Sequence, residues 1–221
     1  MKTMTRDELV SELAKDVKYF SDVSFRGEDL SGITIKSATF IDCDFTRCNL
    51  SKTEITYTVF RGSNLIRVAM QGAKVEKALF DHVVFSHSRI VESTLTDTEF
   101  RYCNFNSTKF RATQLNDLRL YFSTFLASTI VDCELTISEL TRTSFEHTAG
   151  LDVHTVGPVG TFYGSVVYFP SLHKVFAGCW QGNEEEFFAQ CIKMTSNHGA
   201  VLNLDLATNM VKRIMKKRTF N

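Results

Sequence analysis

An apolar residue occupies every fifth position from Phe20 to Phe145 without a break, beginning Phe20, Phe25, Leu30, Ile35, Phe40, Phe45 and ending Leu135, Leu140, Phe145. Helix faces recur at about 3.6 residues and strand faces at about two, so a period of five defines an architecture of its own. Two residues before the centres from Phe25 onward the chain is small, as at Ala38, Cys43, Cys48, Thr53, Thr58 and Ser63; Glu28, Ile33 and Leu118 depart from this. One large and one small inward residue in five, with polar positions between them, predicts a narrow coil of single short strands joined by turns. Gly27, Gly32, Gly62 and Gly72 all lie two residues after a centre, where a corner favours a backbone tolerant of unusual dihedrals. No proline interrupts the repeat, where it would delete a donor from the ladder joining one coil to the next.

A four-sided coil would repeat every twenty residues, and the sequence does so. Phe20, Phe40, Phe60, Phe80 and Phe100 share one side, followed by Leu120 and Leu140; Phe25, Phe45, Phe85, Phe105, Phe125 and Phe145 share the next, interrupted by Leu65. The other two sides, starting at Leu30 and Ile35, are largely aliphatic. With strands about 4.8 Å apart, roughly six and a half coils make a rod roughly 30 Å long.

Residues 18–147 resemble the pentapeptide-repeat family. The resemblance implies an all-β solenoid, a right-handed quadrilateral β-helix, with the centre and the small residue two before it pointing inward. The Asp or Asn that the family often carries before the centre stands at Asp29, Asp44, Asn49, Asn64 and Asn104.

The ends of such a rod expose unpaired backbone and must be covered. In residues 1–17, Thr5-Arg6-Asp7-Glu8 has capping-box spacing and Leu9, Leu13 and Val17 follow at helical steps, which predicts an N-terminal capping helix. Residues 148–221 read as a small α+β module that caps the rod and mediates self-association, most simply as a homodimer. Strands are expected over Thr161–Phe169 and Lys174–Trp180, a helix from Asn183 to about Asn197, and a second helix over Ala200–Arg218. Phe162, Phe169, Phe176, Trp180, Phe187 and Phe188 supply the aromatic surface expected to self-associate. Gly157-Pro158-Val159-Gly160 together with Gly178-Cys179-Trp180-Gln181-Gly182-Asn183 is similar to a C-terminal element of some bacteriophage and bacterial pentapeptide-repeat proteins, which implies a phage origin.

Lys plus Arg and Asp plus Glu number 25 each. Neutrality argues against a nucleic-acid groove and equally against an acidic imitation of DNA, and along the sequence the two signs are interspersed. Asp7 and Glu8 interrupt any apolar signal core, and no apolar run suits a membrane span. Cys43, Cys48, Cys103 and Cys133 fall in the small inward column, and no close Cys/His set suggests zinc. The expected setting is a reducing bacterial cytoplasm, with no cofactor and no metal.

Cys179 with His173 or His198 has the residue types for nucleophilic catalysis, but nothing in the spacing fixes a base near the thiol, and a free Cys is commonly a small core residue. His82 and His87 stand at neighbouring corners without a third ligand. The basic run Lys212, Arg213, Lys216, Lys217 and Arg218 suits the solvated end of a helix. One outward cluster stands out: Tyr102, Tyr121 and Phe122, flanked by Arg101 and Arg119 on adjacent coils, have the composition of a binding hot spot, or equally of a surface on which the C-terminal module or a second subunit packs. Leu118 beside them marks a local distortion of the coil. The reading is therefore a non-enzymatic interaction scaffold acting on a host or phage protein, with counter-defence as one such role. The alternatives are a gyrase inhibitor that mimics DNA, as the quinolone-resistance members of the family do, or a nucleotide or small-molecule binder that blocks a defence signal.

Overall fold

The computed structural model describes residues 1–159, 164–198 and 204–218 and divides into two compact units, Met1–Ser138 with Thr143–Leu151, and Glu139–Arg142 with Asp152–Asn221. The first unit is a solenoid of parallel three-residue strands. Phe20 pairs with Phe40, Phe40 with Phe60, Phe60 with Phe80, Phe80 with Phe100 and Phe100 with Leu120, each a step of twenty residues. Ile35, Ile55, Val75, Leu95 and Leu115 form the same ladder on another side, and Met70, Ile90, Phe110 and Ile130 on a third. The remaining side is joined by single bridges, Asp44 to Asn64 and Val84 to Asn104 among them. Four pentapeptides thus make one turn.

Both inward columns form as the spacing predicts. The centres from Phe20 to Phe145 are buried, save Leu135. The aromatic sides stack face to face, with centroids 5.0 Å apart for Phe60 and Phe80 and 4.5 Å for Phe105 and Phe125. Between the two stacks rings meet edge to face, as Phe100 and Phe105 do at 5.0 Å and 77°. The small column does more than save space. Ser88 Oγ donates to the Leu65 carbonyl at 2.7 Å and accepts from the Val68 amide at 3.1 Å, and Thr108 Oγ1 donates to the Phe85 carbonyl at 2.8 Å. Ser and Thr suit this column because the hydroxyl meets backbone groups that the corners leave without a ladder partner. Cys fills the same role with a weaker donor; Cys48 Sγ lies 2.8 Å from the Phe25 carbonyl oxygen.

Every corner residue two after a centre except Ile137 adopts the left-handed region, including Arg47 at φ 65°, Tyr102 at 52° and Phe122 at 51°. Glycine is therefore one occupant of a general corner, and the ladder holds other residues there at some local cost.

The three departures from the small column have different outcomes. Glu28 is only half-buried, and its carboxylate accepts from the Arg6 amide at 3.0 Å, tying down helix α1 (Arg6–Ala14). The capping box forms as expected, with the Thr5 amide donating to Glu8 at 2.7 Å and the Glu8 amide to Thr5 Oγ1 at 3.3 Å. Leu9 is fully buried. The helix stops before Val17, and Lys2–Thr3, unexpected from the sequence, forms a strand parallel to Val23–Ser24. Leu118 is buried within a continuous strand, Gln114–Tyr121, and the next turn repeats this as Glu134–Thr141. There the register changes: Ile137, with no left-handed corner, is buried at 3% exposure, and Leu135, the expected centre, is half-buried. Nothing in the structure explains Ile33, which is simply buried.

The second unit holds a four-stranded antiparallel meander, His154–Val159, Gly164–Phe169, Lys174–Ala177 and Trp180–Gly182, with helices α2 (Glu184–His198) and α3 (Leu204–Arg218). The expected strand over Lys174–Trp180 is two strands, because Gly178, at φ 64°, turns the chain. The first strand, His154–Val159, was not legible in the sequence; Thr161 and Ala200–Asn203, expected in a strand and a helix, lie outside the described residues. The expected aromatic surface is mostly this unit's own core: Phe169, Phe176 and Phe187 are at most 1% exposed, Trp180 and Phe188 are partly buried against it, and Phe162 lies outside the described residues. Large apolar side chains left outward here are Ile192 and Leu206, at 69% and 56% exposure.

Candidate functional site

Stacked corners convert a twenty-residue spacing into a column of side chains. The His82 amide donates to the Arg101 carbonyl and the Tyr102 amide to the Tyr121 carbonyl, both at 2.9 Å, so the corners of three successive turns lie one above another. Their rings follow. His82 stacks on Tyr102 at 4.6 Å and 20°, and Tyr102 on Phe122 at 4.8 Å and 13°. Tyr102 and Phe122 remain 49% and 39% exposed. His82 is the member that sequence reasoning missed; the signal was its place in the same corner column.

The arginines occupy the strands beside this column. Arg101 lies over the Tyr121 ring, 5.9 Å from its centroid, and its Nε donates to Glu99. That bond raises the guanidinium pKa. Arg119 leans the other way, to Asp97 at 2.8 Å and Glu99 at 3.7 Å. Asp81 bonds His82 Nδ1 at 2.7 Å and Arg61 Nε at 3.1 Å. Tyr102, Tyr121, Phe122 and Arg101 are thus brought together with His82, while Arg119 is drawn to the opposite edge of its face. The result is a short aromatic stripe in a frame of matched charge. The rings cover one another's faces and present mainly edges outward, an arrangement suited to apolar or π contact with a protein side chain rather than to interleaving of bases.

The other candidates separate. His82 is engaged by Asp81 and Tyr102, whereas His87 stands at the next corner. Among the described residues no group of three or more His, Cys, Asp and Glu could hold a metal. His173 and Cys179 flank opposite ends of the strand Lys174–Ala177, and His173 Nδ1 meets Glu184 at 3.2 Å. The His198 side chain lies outside the described residues. Burial pushes the Cys48 and Cys103 thiols up to about 12, so neither is a nucleophile. Lys212, Arg213, Lys216 and Lys217 are exposed along the C-terminal half of α3. No described helix is long and apolar enough to cross a membrane.

Residues 19–51, 43–81 and 78–117 match the family model "Pentapeptide repeats", in eight copies. No curated protein matches the chain. Similar solved structures include a pentapeptide repeat protein of the Arabidopsis thaliana thylakoid lumen, 23% identical with TM-score 0.39, the match covering 42% of this chain and 66% of that one. Full-length QnrB1, a plasmid-mediated fluoroquinolone resistance protein, is 12% identical over 68% of this chain and 90% of its own, TM-score 0.27. HetL, involved in heterocyst differentiation regulation in the cyanobacterium Nostoc, is 9% identical over 66% and 94%, TM-score 0.26.

Proposed function

Since residues 19–117 belong to the pentapeptide-repeat family, a family of rods without built-in catalytic machinery, we propose that this protein is a non-enzymatic interaction scaffold whose partner, a protein, docks on the column His82, Tyr102 and Phe122 with Arg101 and Tyr121 beside it. The observation that carries this reading is the outward stack of three rings on consecutive turns. A rigid ladder holds them, so little side-chain freedom is lost on docking, and an aromatic anchor contributes about 2 kcal/mol or more. The resemblance read from the sequence at residues 157–160 and 178–183 leads us to propose a partner among the host or phage proteins of a bacterial cytoplasm. Self-association through the C-terminal unit is retained as part of the proposal, with Ile192 and Leu206 in place of the aromatic residues now accounted for as core.

The test replaces Tyr102 and Phe122 together by Ser. Both side chains point outward, so the melting temperature is expected to hold while proteins captured from a bacterial lysate by the wild type are lost. Undiminished capture by the double variant would refute the site. The gyrase reading makes a separate prediction, inhibition of supercoiling by the purified protein; it asks for an acidic rod, whereas here the acids of the aromatic face are matched by arginines.

A further inference from the structure

Charges on adjacent strands of the rod meet as opposite signs at several places. Glu54 meets Lys74 at 3.6 Å, Arg61 meets Asp81 at 3.1 Å, and Glu99 meets Arg119 at 3.7 Å. The side carrying the strands Ala69–Gln71, Arg89–Val91 and Lys109–Arg111 departs from this pattern. Arg89 is the direct ladder neighbour of Lys109. At the corner leading into this side Arg47, Arg67 and His87 follow one another, their amides donating to Ile66, Ser86 and Asn106 carbonyls at 2.9, 3.0 and 3.0 Å. Arg111 completes the set. All six side chains are exposed, and among the described residues none has a carboxylate at ion-pair distance. The acid within these four turns of the side is Glu92, which accepts from Gln71 at 3.2 Å. Acids return at Asp29 and Asp132, beyond the two ends of the patch. Charges interspersed along the sequence are therefore segregated by the twenty-residue turn.

Like charges directly opposite each other in a sheet are destabilising. Lys74 and Arg61 are each neutralised by an acid on the adjacent turn, whereas here like charges are stacked, at a cost with no structural return. The patch holds no aromatic anchor; what lies between the cations is small or hydrogen-bonding, as at Asn49, Ser51, Ala69 and Gln71. That composition suits a polyanion better than a protein hot spot. Four turns span about 14 Å at about 4.8 Å each, a length over which duplex DNA presents about four phosphates per strand. We propose that this face, Arg47, Arg67, His87, Arg89, Lys109 and Arg111, is a second binding surface, for the phosphate backbone of double-stranded nucleic acid, without readout of bases.

The experiment is fluorescence anisotropy of a labelled 20-base-pair duplex of arbitrary sequence titrated with the intact protein between 50 and 200 mM salt. Five neutralised phosphates give a slope of about −4.5 in log K against log salt, or about a 500-fold weakening over that range. The triple variant Arg67→Glu, Arg89→Glu, Arg111→Glu should bind at least tenfold more weakly with a slope shallower by about 2.7. A charge-matched control, Lys18→Glu, Lys36→Glu, Lys77→Glu, should keep most of the affinity. Removing like-charge neighbours should leave the melting temperature of the first triple variant equal or higher, and the single variant Arg89→Gln provides the same comparison if the triple one fails to fold. Absence of saturable binding at 50 mM salt, equal binding by both triple variants, or competition by poly-glutamate as strong as by unlabelled duplex would each overturn the proposal, the last in favour of an acidic protein partner.

Discussion

Replacing Phe105 by Ala tests the inward register at a ring with four aromatic neighbours. Phe105 is 1% exposed, stacks on Phe85 at 4.8 Å and Phe125 at 4.5 Å, and meets Phe100 edge-on at 5.0 Å and Phe110 at 5.7 Å. Truncating a buried Phe costs about 3–5 kcal/mol, and a ring with several aromatic partners, each adding about 0.5–1.5 kcal/mol beyond burial, belongs at the upper end. Ladder hydrogen bonds tie each turn to its neighbours, so the walls cannot collapse into the gap. The neighbouring Asn106 is the control: its side chain points outward and accepts from Thr124 at 3.3 Å, a bond whose loss costs about 0.5–1.5 kcal/mol. Urea unfolding followed by far-ultraviolet circular dichroism should therefore separate Phe105→Ala from Asn106→Ala by at least about 2 kcal/mol. Equal midpoints and slopes for the two would refute the register. A lower slope for Phe105→Ala alone would instead show the rod breaking into two cooperative blocks at the gap, which nearest-neighbour coupling permits.

Three further outcomes are expected. Ala127→Val, at an exposed left-handed corner of φ 53°, should destabilise the rod by about 1 kcal/mol or more, while Ala127→Gly should not. In the C-terminal unit burial pushes the Glu184 carboxyl up, but hydrogen bonds from Tyr168, at 2.7 Å, and from His173 outweigh it and hold the group below its ordinary value. Its folded pKa being depressed, its stabilisation is complete above the unfolded value and is lost as pH falls through the folded one; acid unfolding followed by Trp180 fluorescence should show this, and Glu184→Gln should flatten it. In thiol titration of native protein, exposed Cys179 should react fast, and Cys43, Cys48, Cys103 and Cys191 only on unfolding.

The rod was legible because a single five-residue rule governs it: position in the pentapeptide decides which way Phe80, Thr98 or Tyr102 points, whatever the rest of the chain does. The rule failed where long-range contacts override it. Glu28 faces α1 rather than the core, and Ile137 takes the inward place of Leu135 once the corner there straightens into a strand. The C-terminal unit has no such rule. Its strand His154–Val159 contains Gly157 and Pro158, poor strand formers, and is held by its partner Gly164–Phe169; a Cβ on Gly157 would lie 2.7 Å from the Ser165 Cα, so close approach of two backbones, not propensity, sets that residue.

The grouping of charge was hidden in the sequence for a different reason. Along the chain Arg47, Arg67 and Arg89 are separated by about twenty residues each and are diluted by acids between them; in the fold those intervening acids lie on other sides of the rod. A solenoid thus sorts side chains by position modulo twenty, and both surfaces argued for here are products of that sorting. The ring column His82, Tyr102, Phe122 and the column Arg47, Arg67, His87 occupy successive corners, so each can be altered without touching the inward residues or the other column. If both proposals hold, the triple substitution at Arg67, Arg89 and Arg111 and the double one at Tyr102 and Phe122 will be thermodynamically independent, the first removing duplex binding alone and the second protein capture alone, since the two sets of side chains share no partner. Loss of protein capture in the cation variant would show instead that the partner reaches across both corners, and the two surfaces would then be one.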